Sequence, residues 1–222
     1  MSFGPYMRFQ VGEFLIELAP LSREDVKDYI PGMQKISITR YLAHHTAYVL
    51  QDEESWFDRT REDQTCIVWG IWLIEGDKRT LIGNSALNNI VVDKHIRQAT
   101  SGSLIFRKDL WGKGIASAAH KARTWYAFHE LGLHRVMSSV LQGNGGSLKA
   151  LQRSGYELVY VERNTQFVDG RLIHQDNLEC LNPNDPFWSQ WWHGERPSKR
   201  AIAARELTRE ALAWAEKHVE LL

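Results

Sequence analysis

The 222-residue sequence has few of the features that mark secreted, disulfide-stabilised or membrane proteins. Its two cysteines, Cys66 and Cys180, each lie alone in a strand-like run, which is too few for a disulfide framework and gives no metal-ligand spacing. We expect both to be buried thiols. Residues Met1 to Gln10 contain no signal-peptide-like apolar run, and no stretch approaches the roughly 20 apolar residues of a membrane span. The sequence predicts a soluble, cytoplasmic protein with no membrane partner.

An excess of charge of either sign is also missing, since 27 basic residues balance 27 acidic ones. No global field therefore draws the chain to nucleic acid, and Lys199-Arg200 is only a small basic patch, so we expect no nucleic-acid partner. The nine histidines lack the HExxH spacing of a metal site, and no Gly-x-Ser-x-Gly motif is present. We predict neither a metal centre nor a serine hydrolase.

What is present is enough apolar sequence, 43% of residues, to bury a sizeable core. We predict one catalytic domain over residues 1–181 and an appended segment over residues 182–222. Strand-like runs are predicted at Phe14–Leu18, Thr65–Ile74, Thr80–Ile90, Ser101–Phe106, Arg135–Leu141, Tyr156–Arg163 and Arg171–Leu181. Helical patterns are predicted at Ser22–Pro31, Arg40–Arg61 with an interruption near Gln51, Gly114–Leu131, Ser147–Ser154 and Ser198–Leu222. Turn clusters make some strand pairs antiparallel and a strand-helix-strand unit makes one parallel, so the predicted sheet is mixed.

The segment after Asn182 differs in composition, because prolines interrupt a tryptophan cluster before one long helical pattern begins. The helix is too charged to span a bilayer. Its predicted apolar stripe is Ala203, Leu207, Ala211, Trp214, His218 and Leu221. The stripe packs either on its own domain or on a second copy as a homodimer, and the spacing alone does not decide between the two.

The most informative stretch is the corner Trp111-Gly-Lys-Gly-Ile-Ala-Ser117, between a predicted strand and a predicted helix. Its glycines allow the backbone to approach an anion, and the N–H groups of the helix start can bind phosphate oxygens. A P-loop requires Ser or Thr where Gly114 stands, and a dinucleotide fingerprint requires Gly or Ala at Ser117 and an acid after the next strand. The corner can therefore bind a pyrophosphate, although it matches neither the P-loop nor the dinucleotide fingerprint. A glycine-rich turn without a ligand is the alternative.

Residues Ser101–Ser117, with Asn144-x-x-Ser147 and Ser154-Gly155-Tyr156 further on, resemble the GNAT superfamily of acyltransferases. They are most similar to the branch that acetylates protein N-termini, including those of ribosomal proteins. The likeness also includes Ile38–Leu42 and Leu81–Gly83, and it covers roughly residues 10 to 181. It implies an α/β (α+β) fold with a mixed, mostly antiparallel central sheet of about seven strands flanked by helices, and a C-terminal helical extension outside the likeness. The implied reaction is transfer of an acetyl group from acetyl-CoA to a primary amine, by direct attack in a ternary complex.

The resemblance also implies roles for individual residues. The strand at Ser103–Phe106 is expected to splay from its neighbour and pair with the pantetheine arm, Asn144 to hydrogen-bond the pantetheine, and Ser147 to protonate the departing thiolate. Trp111 departs from the family pattern, but the contact there is made by backbone amide. The implied cofactor-binding residues are Ser103, Leu104, Ile105, Phe106, Trp111, Gly112, Lys113, Gly114, Ile115, Ala116, Ser117 and Asn144. An ordinary helix N-cap is the alternative for Ser147.

Many relatives of the family have Glu at the position that Thr100 occupies in this sequence. The sequence therefore shows no direct general base. Asp93 and His95 are candidate substitutes acting through water, or else plain surface-turn residues. Without a strong general base, α-amines are the favoured acceptors. An amine with a pKa of about 7.8 is roughly one-third neutral at about pH 7.5, whereas a lysine amine is almost entirely protonated.

The acceptor pocket is implied at His44–Arg61 and at the hairpin Thr165–Gly170. Asp52, Glu53 and Glu54 could attract a cationic acceptor, although a solvated helix start also explains them. A non-catalytic acyl-CoA sensor with the tail as its interface, and a nucleotide-dependent oxidoreductase, are the other functions that we consider.

Overall fold

The computed structural model describes residues 2–42, 46–184, 188–192 and 196–222. The strands are β1 Met7–Val11, β2 Phe14–Ala19, β3 Ile67–Glu75, β4 Lys78–Val91, β5 Gln98–Ile105, β6 Arg135–Leu141, β7 Glu157–Val168, β8 Arg171–Leu181 and β9 Glu220–Leu221. The α-helices are α1 Ile30–Met33, α2 Ile36–Thr39, α3 Leu50–Glu62, α4 Ile115–His129, α5 Gly145–Gln152 and α6 Lys199–His218. Short 3₁₀ helices lie at Arg23–Tyr29, Lys108–Leu110 and Trp188–Trp192.

The strands form one sheet in the order β7-β8-β6-β5-β4-β3-β2-β1-β9. Every neighbouring pair in this sheet is antiparallel except β5 and β6, which are parallel. The predicted mixed, mostly antiparallel fold is confirmed, with nine strands among the described residues instead of about seven. The two additions are β1, a short strand before the Gly12-Glu13 turn, and β9, a two-residue strand that follows a helical pattern.

Apolar clusters cover both faces of the sheet. The larger cluster lies under α4 and α6, and the smaller one lies under the Arg23–Tyr29 turn and α3. Strand β3 is buried on both faces, which explains why its sequence is almost continuously apolar instead of alternating. Cys66 and Cys180 are buried free thiols, as predicted.

The first two predicted helices have different boundaries in the structure. The first predicted helix does not end at Pro31, because that proline occupies the first turn of α1, where a missing N–H costs nothing. The predicted helix from Arg40 begins only at Leu50, where the Asp52 carboxylate accepts the Val49 N–H at 3.0 Å and caps α3.

The C-terminal helix packs on its own domain, against α4 and β8. Its buried positions are Ala201, Thr208, Ala211 and Ala215, whereas the predicted stripe members Ala203, Leu207, His218 and Leu221 are exposed. Small residues face the domain because the contact is close: a Cβ built on Gly155 would lie 2.0 Å from the Thr208 hydroxyl oxygen. The homodimer and the division at residue 181 stay predictions. None of the described helices is long and apolar enough to cross a membrane.

Candidate active site

The parallel strands β5 and β6 separate in the middle of the sheet. They pair only at Gln98–Arg135, Ala99–Val136 and Thr100–Met137. Beyond this point β5 continues to pair with β4 as far as Ile105, and β6 with β8 as far as Leu141. A gap therefore opens at the splayed strand that the resemblance implied.

The β5 edge of this gap has unpaired backbone groups. The Phe106 N–H donates to the Ile82 carbonyl of β4 at 3.0 Å. Because alternate residues of an antiparallel strand face the same neighbour, Ser101, Ser103 and Ile105 turn their backbone groups away from β4 and toward the gap. The Ser103 N–H and C=O are thus available to an added extended segment.

The two carbonyls that flank Ser103 on this edge are already occupied. The Ser138 hydroxyl of β6 donates to the Ser101 carbonyl at 3.3 Å, and the Trp111 indole N–H donates to the Ile105 carbonyl at 2.8 Å. The Trp111 ring thereby ties the glycine corner to the end of β5. The resemblance implied only a backbone contact for Trp111, and no sequence pattern indicated this side-chain bond.

The glycine corner leads directly into α4. Gly112 and Gly114 have φ angles of 77° and 86°, in the left-handed region that glycine adopts without strain. In the described part of the chain, five N–H groups here have no backbone or side-chain acceptor: those of Gly112, Gly114, Ile115, Ala116 and Ser117. These donors and the positive end of the α4 dipole form an anion-binding surface at the mouth of the gap. Lys113 is exposed.

Asn144 and Ser147 open α5, directly after β6. The N-cap of α5 is Asn144, whose side-chain oxygen accepts the Ser147 N–H at 3.3 Å, so the N-cap alternative for Ser147 is wrong. The half-buried Ser147 hydroxyl has no hydrogen-bond partner among the described residues and is free to donate. The Ser154 hydroxyl at the far end of α5 contacts the Ser117 carbonyl at 3.4 Å, which holds α5 against the start of α4.

A buried arginine lies beneath strand β5. Arg123 of α4 is fully buried and donates to the Gly102 carbonyl at 2.8 Å, the Ser85 hydroxyl at 3.0 Å and His120 Nδ1 at 2.7 Å. Burial, with the Arg123 charge beside it, holds the pKa of His120 well below its usual value, so this histidine stays neutral and accepts the bond. Both residues lie within the predicted helical pattern Gly114–Leu131, but the pattern does not reveal that they link α4 to β4 and β5.

A cavity of about 1080 Å³ lies on the side of β5 that faces α3. Its walls come from the Arg23–Tyr29 turn, α1, α3 and strands β3 to β5. The residues that line it include Tyr29, Met33, Tyr48, Asp52, Glu53, Trp56, Arg59, Asp63, Cys66, Asn84, Asn88, Gly102, Ser103 and Leu104. Because Gly102–Leu104 belong to β5, one wall of the cavity is the strand that borders the gap.

Glu53 is the buried acid of this cavity, with only 5% of its surface exposed. Its carboxylate has no ion pair or hydrogen bond with the described residues. Burial, and to a smaller extent Asp52, raises its pKa to about 7. The solvated-helix-start explanation is therefore wrong for Glu53. It suits Glu54, which pairs with Arg23 at 3.2 Å on the surface, and Asp52, which caps α3.

The other predicted acceptor and base residues lie elsewhere. Asp93 and His95 are exposed on the β4–β5 turn and do not line the cavity. The Thr165–Gly170 hairpin is likewise absent from the cavity lining, although Asp169 pairs with Arg40 at 3.3 Å and so contacts the segment after α2. His44, the start of the predicted acceptor segment, lies outside the described residues.

Comparison with known proteins identifies the family to which the chain belongs. The family described as Acetyltransferase (GNAT) domain matches residues 16–157. Probable N-acetyltransferase YjcK of Bacillus subtilis (strain 168) is 32% identical over 117 residues, which span 53% of this chain and 62% of YjcK.

Two solved structures share the fold over most of their length. Spermidine N-acetyltransferase from Vibrio cholerae, in complex with CoA and spermine, has a TM-score of 0.67 and 19% identity, covering 75% of this chain and 95% of that one. Mycobacterium smegmatis RimJ, in complex with CoA-disulfide, has a TM-score of 0.66 and 18% identity, covering 99% and 96%. With the family match over more than half of its length, the chain belongs to the GNAT acetyltransferase family.

Proposed function

We propose that this protein is an N-acetyltransferase that transfers the acetyl group of acetyl-CoA to a primary amine by direct attack in a ternary complex. The observation that carries the proposal is the gap between β5 and β6, because it joins a free strand edge to the unpaired amides at the start of α4. An extended ligand arm and a phosphate group need these two kinds of partner.

The residues present fit coenzyme A. The unpaired N–H groups of the corner Trp111–Ser117 are suited to its diphosphate, which carries charge at the positive end of α4. The edge of Ser103–Phe106, with the free groups of Ser103, is suited to the amides of an extended pantetheine. When bound, acetyl-CoA supplies an acetyl group activated as a thioester.

Asn144 and Ser147 complete the proposed cofactor side. The Asn144 side-chain oxygen is engaged in capping α5, which leaves its NH₂ group as a donor to the pantetheine. The free Ser147 hydroxyl acts as the acid that gives a proton to the leaving sulfur, since a neutral thiol leaves more readily than a thiolate.

The acceptor is a cationic amine, either a protein N-terminus or a small molecule. The cavity beside β5 carries the acids Asp52, Glu53 and Asp63 and the single cation Arg59 among its described lining residues. This excess of acids favours a positively charged ligand. Spermine in the Vibrio cholerae structure is one amine of this class, and a peptide α-amine is another.

The test is acetyl-CoA turnover, followed as release of free thiol, with a panel of amines. The panel contains peptides with free N-termini, polyamines and aminosugars, and the control is the same peptides with blocked N-termini. We expect amine-dependent thiol release and acetylated product by mass spectrometry. Tight CoA binding without transfer to any amine would indicate an acyl-CoA sensor and overturn the proposal.

A further inference from the structure

Glu53 differs from the other described acids of the cavity, because it alone combines three properties. It is buried, it lines the cavity, and its carboxylate has no partner among the described residues. A buried carboxylate without a partner costs several kcal/mol in general, and a ligand cation would supply the missing partner. Asp52 and Asp63, in contrast, are exposed and engaged: Asp52 accepts the Val49 N–H at 3.0 Å and Asp63 the Thr65 N–H at 2.7 Å.

We infer that Glu53 is the proton acceptor of the reaction: it binds the ammonium group of the acceptor substrate and removes one proton from it. The inference rests on the proposed function. The cavity places Glu53 and the β5 residues Gly102–Leu104 on walls of one space, so an amine that reaches Glu53 enters beside the strand assigned to the cofactor.

The proton balance of the step is complete. The ammonium gives one proton to the Glu53 carboxylate, which later releases it to solvent. The neutral nitrogen then forms a bond to the acetyl carbon, and the bond from that carbon to sulfur breaks. The nitrogen loses its second proton to solvent water, and Ser147, which has given its own proton to the departing sulfur, regains one from solvent, so no other reactant is needed.

Among the described residues that line the cavity, Glu53 is the group whose pKa lies near neutral pH. The other titratable or charged residues in that described lining are Tyr29, Tyr48, Asp52, Arg59, Asp63 and Cys66. Burial raises the pKa of Tyr29 and Tyr48, and it raises the pKa of Cys66 to about 11, so these three stay neutral. A base whose pKa lies near 7 is half-ionised at neutral pH and can both accept and release a proton.

The experiment compares wild type, Glu53→Gln and the matched control Glu54→Gln, which changes the adjacent carboxylate outside the cavity. We measure kcat/KM from about pH 5.5 to 9.5 with a peptide α-amine and a lysine-type amine. In wild type we expect, for both amines, a first rise with a midpoint near 7 and then a fall above the pKa of each amine, because the step uses ionised Glu53 and the ammonium form of the acceptor. Glu53→Gln should lose the first rise and fall roughly 100-fold in kcat/KM, with the loss mainly in kcat. Glu54→Gln should stay within about threefold of wild type.

A readout without substrates accompanies the kinetics. In the ligand-free protein, the ¹³C side-chain carboxyl resonance that is missing in Glu53→Gln should titrate near 7. Unchanged CoA affinity by calorimetry verifies that the variant is folded. A Glu53 midpoint near the ordinary 4.5 overturns the inference. So does a Glu53→Gln enzyme that keeps the first rise, or one in which only KM increases.

These results are separable from a failure of the proposed function. A wild-type protein that acetylates no amine overturns the function itself. Transfer by Glu53→Gln with an unchanged pH profile overturns only the role of Glu53.

Discussion

The two sides of strand β5 present different kinds of chemical groups. On the gap side, the glycine corner offers backbone N–H groups. On the cavity side, the recognition groups are side chains that come from a 3₁₀ turn, a helix and three strands. One strand thus separates a site made by local backbone conformation from a site made by tertiary packing.

This difference predicts opposite sensitivities to substitution. The corner should tolerate changes of side chain and respond to changes in φ, because its donors belong to the main chain. The cavity should respond to single side-chain changes, because its polar groups belong to side chains and the carboxylate of Glu53 is buried. The following four experiments test this contrast.

Glu53→Gln should stabilise the ligand-free protein at alkaline pH. Burial raises the folded-state pKa of Glu53 to about 7 from 4.5, so the neutral form is favoured and the wild-type protein loses stability as pH rises through 7. The gain in the variant should be about 3 kcal/mol near pH 9 and vanish below about pH 4.5. Urea denaturation at several pH values measures it. Glu54→Gln, which loses a surface pair with Arg23, should change stability by less than about 1 kcal/mol at every pH.

Ser147→Ala should lower kcat by roughly 100-fold, since loss of a general acid costs at least that factor. The unfolding free energy and the CoA affinity should stay the same within error, because the described residues leave the Ser147 hydroxyl unpaired and Asn144 caps α5. Steady-state kinetics and calorimetry check both expectations. The control is Ser139→Ala, an exposed serine of β6. Full activity in Ser147→Ala removes Ser147 from the mechanism.

Gly114→Ala should weaken CoA binding by about tenfold, because the residue has a φ of 86° and relief of the strain rotates the donors of the corner. Gly76→Ala is the matched control: its φ is 59°, nothing lies within 4 Å of an added Cβ, and it occupies the β3–β4 turn. Both should lose about 1–2 kcal/mol of stability, but only Gly114→Ala should change CoA affinity by calorimetry. Equal CoA affinities in the two variants contradict a backbone-built site.

Lys113→Ala should have the smallest effect, a loss of CoA affinity of threefold or less, because an exposed ammonium contributes about 1 kcal/mol or less. Titration at low and moderate salt tests this. A loss of tenfold or more means that the lysine charge, and not the main chain, holds the diphosphate.

The same contrast explains what the sequence allowed us to predict. The corner, α4, β6 and the hairpins are local, so glycine spacing and turn pairs predict them within a few residues. The sequence did not distinguish Glu53 from its acidic neighbours Asp52 and Glu54. Its burial depends on the Arg23–Tyr29 helix and on strands β3 to β5, all of which are distant in sequence. The buried face of α6 was predicted only in part for a related reason: Ala211 is buried as predicted, but close packing at Gly155 selects Thr208, whereas a hydrophobicity pattern favours the exposed Leu207. No local sequence pattern predicts that β9 pairs with β1.

The pairing of β9 with β1 joins Glu220 and Leu221 to Arg8 and Met7, near opposite ends of the sequence. Closing so large a loop carries a high entropic penalty that only two residue pairs offset. We therefore expect this edge to form last during folding and to open first under native conditions. Amide hydrogens on the outer side of β1 should accordingly exchange with solvent faster than those shared by β2 and β3, which pair over five residues.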